Sequence, residues 1–133
     1  MPESSLTNEY LLLSRGHWDR SKSKEEIQAA IDSFYVWYEQ LVAEGKFKRG
    51  QRLATGGMIV TRAGLTDGPF AETKEIIGGY WFIVASSLQE ASAIAAQNPC
   101  LACGLTYEVR PIETLRASAF RVSNETPSDS EES

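Results

Sequence analysis

The chain has 133 residues, with 13 Lys+Arg against 18 Asp+Glu, a net charge of −5 and a pI near 4.9. That length suits one domain with a real core, and 42% hydrophobic with 23% charged residues is a soluble globular balance. The acidic balance argues against bulk attraction to nucleic acid or to an anionic membrane. The charge is uneven. Arg121 against Glu125, Asp129, Glu131 and Glu132 nets −3, which leaves −2 for the first 120 residues. Cys100 and Cys103 are the only cysteines, too few for a secreted disulfide framework. The first residues lack the basic and apolar regions of a signal peptide, and no run approaches the roughly 18–20 apolar residues of a membrane span. The cytoplasm is the expected location.

Residues 1–8 read as a polar arm. Tyr10-Leu11-Leu12-Leu13 is a short apolar run suited to a buried strand. Ser23-Lys24-Glu25-Glu26 has capping-box spacing. Ile27, Ile31, Phe34, Tyr38, Leu41 and Val42 then recur at helical spacing, and Gly45 closes a helix expected at 24–44. Residues 47–61 resemble strand material broken by Thr55-Gly56-Gly57, whereas 62–75 are polar and turn-rich. Tyr80–Ala85 is a strand with apolar residues on both faces, Tyr80, Phe82 and Val84 one way and Trp81, Ile83 and Ala85 the other. Ser87-Leu88-Gln89-Glu90 starts a shorter helix with Leu88, Ala91, Ile94 and Ala95 inward, stopped by Asn98-Pro99. Thr106–Ile112 is a last strand. This gives one domain over 1–117 and an acidic tail over 118–133, expected to be disordered.

The order is strand, helix, strand or hairpin, strand, helix, strand. That is the split βαβ pattern of a ferredoxin-like α+β fold, with an antiparallel sheet and two helices on one face. Strands apolar on both faces leave the other sheet face in need of cover, and a second copy, giving a back-to-back homodimer, is the economical answer. Trp81 is expected to meet that dimer face, and Trp37 to pack in the core.

Asp67-Gly68-Pro69-Phe70-Ala71-Glu72-Thr73-Lys74-Glu75, followed by Gly78-Gly79-Tyr80, resembles the signature of the DGPF branch of the YCII-related family. Glu108-Val109-Arg110-Pro111-Ile112 is similar to its closing strand and Leu11-Leu12-Leu13 to its opening one, so the resemblance spans about residues 9–113. It implies a dimeric α+β barrel and little about chemistry, because most such members have no assigned reaction. Some relatives are encoded beside, or fused to, extracytoplasmic-function sigma factors, which makes such an association possible by analogy alone. Shorter members carry a His on the first helix, proposed to work with an Asp. Counting back from Gly45, that place falls near Phe34, and this helix has no His.

Asp67-Gly68-Pro69-Phe70 is a turn by chemistry, with Phe70 as an apolar plug, and Asp67 could also anchor a ligand or act as a general base. His17 is the only histidine. The topology places it at the same end of the sheet as Asp67, where the two would form an acid–base pair, or His17 is an ordinary surface residue. Arg15, Asp19, Glu72 and Lys74 lie in the same segments and suit either a small polar ligand or a structural ion-pair network. Cys100-Leu101-Ala102-Cys103 has C-x-x-C spacing, but it follows the stopped helix, and no second pair completes a zinc site. Lys46, Lys48, Arg49 and Arg52 read as a solvated strand edge. No metal or cofactor is called for. The sequence therefore favours a small dimeric ligand-binding or regulatory accessory module. The alternative is an enzyme using His17 and Asp67 for proton transfer on a small polar substrate.

Overall fold

Ser23 begins the first helix as its spacing predicts. Its hydroxyl accepts from the Glu26 amide at 3.0 Å, and the Glu26 carboxylate accepts from the Ser23 amide at 2.8 Å. The computed structural model describes residues 7–67 and 76–127. Its elements are β1 (Asn8–Arg15), α1 (Lys24–Ala43), β2 (Phe47–Arg52), β3 (Met58–Thr61), β4 (Gly64–Asp67), β5 (Ile77–Ala85), α2 (Leu88–Ala95), a 3-10 turn (Pro99–Cys103) and β6 (Thr106–Pro111).

Four strands form one antiparallel sheet in the order β2-β5-β1-β6, the split βαβ topology expected. Alternation sorts its side chains. Tyr10, Leu12, Phe47, Trp81, Ile83 and Ala85 are buried on the helix side with Ala30, Phe34, Tyr38 and Leu41 of α1 and Ala91 and Ala95 of α2. Both helices therefore cover one face, and the protein is an α+β fold with one core. Trp37 packs at its margin.

Three departures from the sequence reading matter. Gly64–Asp67, read as turn, is a strand, because β3 and β4 pair as a separate two-stranded sheet inserted between β2 and β5. Cys100–Cys103, placed after the last helix turn, lies on the 3-10 turn, with Asn98 as its cap. Trp81 faces the helices rather than a dimer face, packing on Phe34 with ring centroids 5.5 Å apart. The reason is parity. Its neighbours Tyr80, Phe82 and Val84 take the far face instead.

On that far face Leu11 lies opposite Phe82, and Leu13 opposite Tyr80. All four are half-buried, and neither helix packs there. Charged pairs rim the patch. Arg15 binds Glu108 at 2.5 Å, Arg110 binds the same carboxylate at 3.1 Å, and Lys48 pairs with Glu9. The two guanidinium groups, Arg15 first, hold the Glu108 carboxyl below the usual carboxylate range.

The edge strand β2 carries a β-bulge. Lys48 lies opposite Phe82 and Gln51 opposite Tyr80, so Arg49 and Gly50 on β2 stand against Trp81 alone on β5. Gly50 sits in the bulge against backbone. A Cβ there would lie 1.8 Å from the Tyr80 carbonyl oxygen. The extra residue reverses the alternation that starts at Phe47. Gln51 shares a face with Lys48, and Arg52, opposite Gly79, turns to the helix side.

Beyond β6, residues 113–127 form no helix or strand, and their hydrogen bonds are local, such as Phe120 N–H to Ser118 Oγ at 3.2 Å. Phe120 and Val122 are almost wholly exposed.

Candidate functional site

A pocket of about 130 Å³ opens between the sheet and α1, at the end where β1 finishes and β5 begins. Five aromatic side chains line it, namely Trp18, Phe34, Tyr35, Trp81 and Tyr107. Phe34 is the hub. Its ring lies 5.2 Å from Tyr35 edge-on, 5.5 Å from Trp81, and 5.7 Å from Tyr38 in a near-parallel stack. Gly79 leaves the space for the Trp81 indole, since a Cβ there would stand 2.8 Å from Cη2.

Trp18 reaches the pocket because its loop is tied to the 3-10 turn. The Asp19 amide donates to the Cys103 carbonyl at 2.8 Å. Gly104 permits the contact, with a φ of +105° and an absent side chain whose Cβ would lie 2.4 Å from Asp19 Oδ1.

The inner wall is polar. Ser14, Cys100 and Tyr107 line it, and Asn98 stands behind them, 4% exposed. Asn98 Oδ1 accepts from the Cys100 amide at 2.8 Å, which fixes the orientation of the side-chain amide. Its Nδ2 is buried with no partner among the described residues, beside the Tyr107 phenol. Burial, reinforced by the neighbouring Cys100, pushes the phenol up to about 12, although Ser14 and Asn98 pull it down. Burial likewise raises the Cys100 thiol, against a smaller pull from Tyr107. Both groups therefore stay protonated near neutral pH. Both cysteines are free and buried, with Cys100 Sγ toward the Ala30 carbonyl and Cys103 Sγ toward that of Glu26. The C-x-x-C spacing thus builds a packed turn with none of the environment that lowers a thiol pKa.

Among the described residues, those singled out from sequence do not converge on one site. His17 follows β1 and is exposed, next to the pocket-lining Trp18. The Gly16 amide donates to the Ile76 carbonyl at 3.1 Å, so the loop after β1 does meet the chain entering β5. Asp67 ends β4 and is exposed, and no hydrogen bond or ion pair joins it to His17. Arg15 is engaged with Glu108 on the far sheet face, and Asp19 is exposed at the 3-10 turn. Phe70, Glu72 and Lys74 lie outside the described residues. Among the described residues, no group of three or more His, Cys, Asp or Glu could hold a metal ion, and no helix is long and apolar enough to cross a membrane. A larger hollow, about 830 Å³, is walled only by residues of the 113–127 segment and meets neither helix nor sheet.

Sequence reasoning did not assemble the pocket lining. Trp18, Tyr35, Trp37 and Trp81 can be read from the sequence as an aromatic box, but core packing was the preferred reading of Trp37 and a dimer face that of Trp81, and Phe34 was marked as the place where shorter relatives carry a His. The structure puts an apolar ring at that place on the pocket wall.

Comparison with known proteins follows from this fold. Residues 9–116 match the YCII-related domain. The chain belongs to the YCII-related family. An uncharacterized protein of Rhizobium meliloti (strain 1021) is 36% identical to this YCII-related chain over 100 residues, covering 68% of the chain and 78% of the relative. Among solved structures, 5-chloro-2-hydroxyhydroquinone dehydrochlorinase from Burkholderia phenoliruptrix AC1100, in complex with 2,5-dihydroxybenzoquinone, superposes with a TM-score of 0.42 at 17% identity, over 79% of this chain and 93% of that one. Hydroxynitrile lyase from Passiflora edulis superposes with a TM-score of 0.39 at 12% identity, over 83% and 98%. Neither likeness bears on this chain's chemistry.

Proposed function

We propose that this YCII-related protein is a small-molecule-binding module that works as a homodimer and takes its ligand in the aromatic pocket. The carrying observation is the wall itself, four aromatic side chains facing a buried hydroxyl and thiol and the half-buried Tyr107 phenol. Apolar lining with a few placed polar groups is what small-ligand sites share. The described lining residues include no carboxylate and no imidazole, and the Tyr107 and Cys100 protons are held near neutral pH. This favours binding over proton transfer by the pocket's own groups.

A thermal-shift panel of single-ring aromatic compounds tests the pocket. A ligand present at about 100 times its Kd adds about 2.7 kcal/mol, enough to raise Tm by roughly 5 °C or more. Ile31→Phe, which fills the pocket, should abolish the shift. A panel without any shift, or an equal shift in the filled variant, defeats the reading.

The homodimer rests on the far sheet face. Full burial of a Leu or Phe side chain is worth about 1.5–3 kcal/mol, and Leu11, Leu13, Tyr80 and Phe82 are only half-buried there. Light scattering at micromolar concentration should give twice the 14.7 kDa of one chain, and Phe82→Lys should give the single-chain mass. A single-chain mass for the unmodified protein would refute the dimer.

A further inference from the structure

The charge around the pocket selects among ligands. Strand β2 carries three cations, and two are engaged. Lys48 pairs with Glu9, while Arg49 holds Glu39 through two bonds of 2.9 and 2.7 Å and lies over the Tyr38 ring. Arg52 makes no ion pair with any described residue. The bulge at Gly50 turns it to the helix side, and it lines the pocket as the only charged side chain among the described lining residues. An exposed Arg without a partner is ordinary. An Arg re-aimed by a bulge onto an aromatic pocket with no counter-charge among the described lining residues is a ligand-facing cation.

The size fits one ring. The volume is about 130 Å³, close to the roughly 150 Å³ that accommodates benzene in an apolar protein cavity. Phe34 and Trp81, set at 62° to one another, offer edge and face to such a ring. The orphan Asn98 amide and the Ser14 and Tyr107 hydroxyls stand at the inner end.

We infer that the pocket takes a small aromatic anion, its ring against Phe34, Trp18 and Trp81 and its carboxylate or phenolate on the Arg52 guanidinium. The inference rests on the pocket reading and adds the ligand's charge and shape. A planar guanidinium binds a carboxylate through two parallel bonds, which gives orientation as well as affinity. The opposite sign, a quaternary ammonium in an aromatic cage, would set its charge against Arg52.

Three probes separate these outcomes by titration calorimetry on the full chain. They are benzoate, benzyl alcohol and benzyltrimethylammonium, with the indole N–H signals of Trp18 and Trp81 reporting the site. Benzoate should bind at least tenfold tighter than benzyl alcohol. Arg52→Gln should remove that advantage and leave benzyl alcohol unchanged, since a hydrogen bond to a charged group is worth roughly one to two powers of ten in affinity. Arg52→Lys should recover only part, because it restores charge without the fork. Equal binding of benzoate and benzyl alcohol, or tightest binding of the ammonium, overturns the aromatic anion and leaves the pocket reading standing. No binding of any of the three overturns both.

Discussion

Gly50→Ala is expected to destabilise the protein by about 3 kcal/mol or more, a drop in Tm of roughly 10 °C. The glycine is needed for space. The backbone of β2 passes so close to β5 that a methyl would meet the Tyr80 carbonyl oxygen at 1.8 Å and the Tyr80 carbonyl carbon at 2.6 Å. These are main-chain atoms held in a central strand, so no rotamer change relieves the clash. The bulge must open or β2 must leave the sheet. Either movement also shifts Arg52. Urea denaturation checks the magnitude, with Gln51→Ala, an exposed neighbour, as a control expected within about 0.5 kcal/mol. Wild-type stability for Gly50→Ala would mean that the bulge is wrongly placed.

Phe34→Ala is expected to cost about 3–5 kcal/mol, a large share of the roughly 5–15 kcal/mol that holds a domain together. Phe34 is 5% exposed, and its ring meets Tyr35, Trp37, Tyr38 and Trp81. Such ring pairs add about 0.5–1.5 kcal/mol beyond area burial. Truncation also enlarges the pocket, so the loss includes a cavity as well as a transfer contribution. Denaturation midpoints measure the loss, and the near-ultraviolet circular dichroism of the aromatic cluster should weaken with it. Phe34→Leu, which keeps most of the volume, should lose less stability yet still weaken ring binding. Equal stability of Phe34→Ala and wild type would contradict the packing described.

Much of the architecture was legible because its signals are local. The reciprocal Ser23 and Glu26 bonds, Gly45 after α1, the Ser87 cap and the alternation in β5 each depend on residues a few positions apart. The pocket was not legible for the converse reason. Its wall joins Ser14, Trp18, Phe34, Arg52, Trp81 and Tyr107, which lie on five different elements and the loop after β1. Phe34 read as part of the inward helix stripe and Trp81 as a dimer-face residue, so neither marked a pocket, and packing against the helices is part of the role of both. Arg52 read as a solvated edge cation because Lys and Arg commonly guard strand edges, and simple alternation from Phe47 also sends it to the other face. One additional residue in the ladder reverses that count, and Gly50, the residue type that often marks a bulge, is the one sequence signal of it. The short β4 was missed because Gly64 and Asp67 are turn-formers by propensity and pairing with β3 outweighs that preference.

The β3–β4 hairpin has a consequence of its own. It shares no sheet with the main fold, and Met58, Val60 and Leu65 are largely exposed. A lone two-stranded ribbon in water is marginal. Its opening therefore costs little more than its own few ladder bonds, whereas β2, which precedes it, is pinned by the bond from the Leu53 amide to the Gly78 carbonyl at 2.9 Å. The chain thus carries a weakly held unit and a firmly held one in series, and the ribbon can exchange its amide protons while the sheet beside the pocket stays shut.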